Sequence, residues 1–78
     1  MDCRHGESHF RSSIVQNLEQ GCVALELHRE FRGTEERVAA VTFWDASGQF
    51  FVETFGTDVN LEVLEQLIAE ARVSIKVR

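Results

Sequence analysis

The chain has 78 residues, thirteen Asp and Glu against eight Lys and Arg, and a formal charge of −5. That length makes one domain with a small core, and the acidity argues against nucleic acid and anionic membrane as main partners, because both select for Lys and Arg. Two cysteines are too few for a disulfide scaffold, and no apolar run nears the roughly 18 residues of a membrane span.

The start, Met1-Asp2-Cys3-Arg4-His5-Gly6, lacks the basic and apolar stretches of a signal peptide. A reducing, cytoplasmic location is therefore the expectation. Residues 1–9 show no hydrophobic periodicity and are expected to form a flexible tail, with one domain over 10–78. Ser12 or Ser13 can cap a helix in which Ile14, Val15 and Leu18 share a face and Gly21 supplies the left-handed stop. The spacing predicts a helix over 12–20.

From Cys22 the period changes to two. Val23, Leu25, Leu27 and Phe31 alternate with Ala24, Glu26, His28 and Glu30, which predicts a half-buried strand over 22–31. A second strand is expected over 36–44 after a turn at Gly33-Thr34. Asp45-Ala46-Ser47-Gly48 suits a type I turn with a glycine bulge, and a third strand follows to Phe55. Leu61, Leu64, Leu67, Ile68 and Ala71 form one apolar stripe, which predicts a helix over 59–71. Val73-Ser74-Ile75-Lys76-Val77 alternates again and predicts a short terminal strand. The expected fold class is α+β, in the order α-β-β-β-α-β: a three-stranded antiparallel meander with two helices on one face and a short C-terminal strand.

Register decides which side chains share a face. A two-residue turn at Gly33-Thr34 sets Glu30 opposite Arg37, Leu25 opposite Thr42 and Val23 opposite Trp44. Val23, Leu25, Leu27, Phe31, Val38, Ala40, Trp44, Phe50 and Val52 then face the helices. The other face holds Glu26, His28, Glu30, Arg37 and Glu53, but also Val41, Phe43, Phe51 and Phe55. A three-residue turn moves the first strand across and sets Val41, Phe43, Phe51 and Phe55 beside Val23, Leu25 and Leu27. That arrangement places Arg29, Arg37 and Glu53 on the core side, so the first register is preferred. Either way, five of the seven aromatic residues lie between positions 43 and 55, and two short helices on one side cannot cover both faces of that hairpin. Contiguous aromatic patches on small proteins mark interaction sites. Val41, Phe43, Phe51 and Phe55 are therefore the expected protein-interaction residues.

Three groups could carry chemistry. Cys3, His5 and His9 have the spacing C-x-H-x₃-H, which could supply zinc or copper ligands, but all three sit on one polar segment. His28 lies between Glu26 and Glu30 on one strand face, where a carboxylate-flanked imidazole can act as general acid or base; an open sheet face offers no concavity for it. Cys22 has no visible base nearby. No phosphate-cradling or nucleophile-elbow motif occurs. The start of the last helix, Thr57-Asp58-Val59-Asn60-Leu61-Glu62, is acidic and would repel phosphate. No catalytic, cofactor-binding or metal residue is assigned. The expected function is a small acidic non-catalytic protein-interaction module (adaptor, inhibitor or chaperone-like). Its expected partner is a second copy or another protein chain, not nucleic acid or membrane. A small enzyme or metal-binding protein using His28 or Cys3, His5 and His9 is the alternative.

Overall fold

A computed structural model describes residues 1–75, and in them the period of two begins long before Cys22. The elements are β1 (Asp2–His5), β2 (Ser8–Asn17), β3 (Cys22–Phe31), β4 (Thr34–Trp44), β5 (Gln49–Thr54) and α1 (Leu61–Ser74). The strands form one antiparallel sheet in the order β1-β2-β3-β4-β5, each paired with its neighbour in sequence. The expected two helices on a three-stranded meander are thus replaced by five strands and one C-terminal helix.

The first helix expected over 12–20 is the main error. Phe10, Ser12 and Ile14 lie opposite Arg29, Leu27 and Leu25 on the helix-facing side of the sheet. Ile14 and Val15 are β-branched, and such side chains fit a pleated surface better than a helical turn. Leu18, which the helical spacing would bury, is 88% exposed in the turn that follows. In that turn Gln20 donates its backbone N–H to the side-chain oxygen of Asn17 at 3.1 Å, and the chain reverses toward β3. Residues 1–9, expected as a flexible tail, contain β1 and the start of β2, joined through Gly6-Glu7 with His5 opposite Ser8.

The β3–β4 turn is Arg32-Gly33, closed by Phe31 opposite Thr34. Both turn residues have positive φ, 50° and 81°, which defines a type I′ turn in place of the expected Gly33-Thr34 turn. A bulge then resets the register. Leu27 pairs with Ala39 and His28 with Arg37, leaving Val38 as the extra residue. Val38 and Ala39 are consecutive yet both fully buried. Beyond the bulge Leu25 faces Val41 and Val23 faces Phe43, so Val41 and Phe43 join the core while Ala40, Thr42 and Trp44 turn to the other face. In the second hairpin Phe43 pairs with Phe50 and Trp44 with Gln49.

Helix α1 covers one face. Val63, Leu67, Ala71 and the following Ile75 pack on Phe10, Leu25, Leu27, Val38, Ala39, Val41 and Phe43, with Leu64 and Ile68 at the margin. Leu61, included in the expected stripe, is 70% exposed. The helix starts at Asn60, whose carbonyl accepts the N–H of Leu64 at 3.0 Å, and carries Glu62 in its positive first turn. It runs through Val73 and Ser74, which were expected to begin a strand; residues 76 and 77 of that expected strand lie outside the described residues. Arg29 secures the approach to the helix by donating to the carbonyl of Asp58 at 3.2 Å while pairing with Glu36. Among the described residues no helix is long and apolar enough to cross a membrane.

Candidate functional site

With one helix on one side, the opposite face of the sheet is open. The register divides it into two regions. At the end near the β3–β4 turn lies a charge network. Glu26 accepts from Arg37 at 2.8 Å and lies 3.4 Å from His28. Arg11 lies between Glu30 at 3.4 Å and Glu35 at 3.9 Å. The Arg37 guanidinium sits 4.2 Å from the centre of the Phe55 ring, a cation–π arrangement. The expected partner of Arg37 was Glu30. The Arg32-Gly33 turn, in place of Gly33-Thr34, sets Arg37 opposite His28 and within reach of Glu26.

At the far edge of this network His9 and Asp2 form an ion pair between β2 and β1. The hydrogen bond from His9 holds the Asp2 carboxyl below its ordinary value against the opposing effect of desolvation; the positive charges of His9, Arg11 and the N-terminus add smaller contributions in the lowering direction. Cys3 and His5, by contrast, share the helix-facing side with Phe10, and the His5 ring meets Phe10 edge-on at 6.0 Å. The C-x-H-x₃-H residues therefore straddle the sheet. Among the described residues no group of three or more His, Cys, Asp and Glu is placed to hold a metal ion.

The other region of the open face is apolar. Cys22 pairs with Trp44, Ala24 with Thr42, and Thr42 with Phe51 across the other hairpin, while Val15 lies beside Ala24. Trp44 is half-buried, and Phe51 is 48% exposed.

The four expected interaction residues do not form one surface. Val41 and Phe43 are 2% and 6% exposed, inside the chain's own core, and the Phe43 ring packs on Phe50 at 5.1 Å. Phe51 points the opposite way, and Phe55 is half-buried under Arg37. Sequence reasoning missed Val52, which is 49% exposed on the helix-facing side of β5. It also assigned Trp44 to the core. The extra residue at Val38 turns Trp44 to the open face and Val41 and Phe43 into the core, and its only sequence signal is the run of apolar residues Val38-Ala39-Ala40-Val41, which fits no simple alternation. Comparison with protein-family models, with curated proteins and with solved structures returns no match.

Proposed function

We propose that this chain is a small acidic non-catalytic protein-interaction module that self-associates through the β4–β5 hairpin. The observation that carries the reading is the exposure of Phe51 and Val52, two large apolar side chains at the middle of one strand, with half-buried Trp44 and Phe50 beside them. A domain this small has little core to stabilise it, and burying such side chains against a partner offsets that shortage. The net charge of −5 favours a protein partner over nucleic acid or an anionic membrane. A reducing, cytoplasmic setting fits two free thiols on opposite faces of the sheet.

The alternative of an enzyme or metal protein has weaker support. His28 lies on an open sheet surface, and its neighbour Glu26 is engaged by Arg37. His9 lies across the sheet from Cys3 and His5.

Light scattering from micromolar to millimolar concentration tests the reading. Wild type is expected to pass from monomer to dimer. Burying a Phe side chain contributes roughly 1.5–3 kcal/mol, so Phe51→Ser should raise the dissociation constant at least about tenfold while the circular-dichroism spectrum stays intact. A protein that remains monomeric throughout would remove this proposal.

A further inference from the structure

Strand β5 is an edge of the sheet, and among the described residues nothing pairs with its outer side. The direction of its backbone groups follows from one bond. Phe55 donates its N–H to the carbonyl of Val38 at 3.2 Å. In an antiparallel ladder, residues that bond a neighbour alternate with residues that face away from it. The register of β4 and β5 carries that phase through Glu53, Phe51 and Gln49. Phe50 and Val52 therefore direct their N–H and C=O groups outward.

The two edges of the sheet differ. Strand β1 has four residues, including the charged Asp2 and Arg4. Strand β5 has six, carries Phe50-Phe51-Val52 at its middle, and holds Glu53 as its one charge. Natural sheet edges are protected by charge, proline, bulges or a covering element, and β5 has little of this. Its exposure also has a direction. Phe51 lies on the open face and Val52 on the helix-facing side, each about half exposed. A partner docked on either face would cover one of them. A strand added in the plane of the sheet covers both.

We propose that β5 pairs antiparallel with β5 of a second copy about a two-fold axis at Phe51, joining two five-stranded sheets into one of ten strands. The proposal rests on the self-association reading and specifies its geometry. Paired residues in a continuous sheet must share a face, so the axis falls on a residue. With the axis at Phe51, the two Phe51 rings meet on the open face. Phe50 lies opposite the partner's Val52 and exchanges both backbone hydrogen bonds with it on each side of the axis. Gln49 lies opposite the partner's Glu53, a carboxamide donating to a carboxylate. Moving the axis to Val52 would set Phe51 against Glu53, and moving it to Phe50 would set Phe51 against Gln49. The Phe51 axis alone matches ring with ring, ring with β-branched side chain, and donor with acceptor.

Two measurements test the pairing. Val52→Pro removes an outward N–H and no bond to β4, at an edge position where proline is tolerated. It should be monomeric at concentrations where wild type is dimeric, with an unchanged circular-dichroism spectrum. The second works in a Cys3→Ser, Cys22→Ser background and keeps Phe51. Gln49→Cys mixed with Glu53→Cys should form an intermolecular disulfide on mild oxidation, because directly opposed residues of this kind lie about 4.5 Å apart at Cα. Neither variant alone should cross-link. If Val52→Pro loses its fold, the cross-link decides. A dimeric wild type with no mixed cross-link, or with a folded Val52→Pro variant that remains dimeric, overturns the edge pairing and leaves the interaction reading standing. A wild type that is monomeric at millimolar concentration overturns both.

Discussion

Ser12 of β2 donates its hydroxyl to the carboxylate of Glu70 on α1, with the two oxygens at 2.9 and 3.0 Å. The Met1 ammonium joins them, at 2.6 Å from the Ser12 oxygen and 2.9 Å from Glu70. The contact ties residues 58 positions apart and fastens the end of the helix to the outer strands. A hydrogen bond to a charged group contributes roughly 1.5–3 kcal/mol, less where water reaches it. Ser12→Ala should therefore lower stability by about 1–2 kcal/mol in urea denaturation. A double-mutant cycle with Glu70→Gln should show a coupling of at least about 0.5 kcal/mol.

Leu67 and Leu61 lie on the same helix and were read as one stripe, yet they should respond differently to truncation. Leu67 is fully buried between the sheet and the helix. Leu67→Ala should cost about 2–5 kcal/mol, a large share of the roughly 4–12 kcal/mol expected for a domain of this size. Leu61 is largely in solvent, so Leu61→Ala should change stability by no more than about 0.5 kcal/mol. Thermal melts of the two variants side by side check the assignment of the buried face.

Thr57, in the connection between β5 and α1, has a buried hydroxyl oxygen without a hydrogen-bond partner. Leaving such a group unsatisfied costs about 1–3 kcal/mol. Thr57→Val keeps the shape and removes the hydroxyl. It should be at least as stable as wild type, with a gain on the order of 1 kcal/mol in urea denaturation. A clear loss would show that the oxygen has a partner in solution.

Asp2 links the β1 edge to pH. Its folded pKa is lowered from the ordinary 3.8, chiefly by the hydrogen bond from His9. A depressed carboxyl value contributes stability that is present above the unfolded value and is lost as pH falls through the folded one. The sensitive window therefore lies below 3.8. An NMR titration of the side-chain carboxyl should give a midpoint under that value, and His9→Ala should move it upward.

Strands β3, β4 and β5 and the last helix were legible because their apolar spacing is regular. Val23, Leu25 and Leu27 mark β3 by alternation, and Asp45 to Gly48 mark the turn after β4. In contrast, β2 alternates Phe10, Ser12 and Ile14 on its core side. Only one of these is both apolar and fully buried, so the signal was thin. Ile14, Val15 and Leu18 happen to satisfy a helical period as well, and pairing with β3 along ten residues outweighs that local preference. The interaction surface was less legible than the fold. Phe51 was identified, but the bulge at Val38 reverses the faces of Val41, Phe43 and Trp44. Such a bulge is a property of paired strands and leaves no periodic mark of its own.

The order β1-β2-β3-β4-β5 also bears on how the chain folds. Every strand pairing is closed by a connection of two or four residues, so each hairpin forms with little loss of loop entropy. Contacts between α1 and β2 or β3 span a much longer stretch of chain. The sheet can therefore assemble one hairpin at a time, with the helix docking onto a surface already made. On that order Leu67→Ala should speed unfolding far more than it slows refolding. Substitutions at the Arg32-Gly33 turn should do the reverse, acting mainly on the refolding rate.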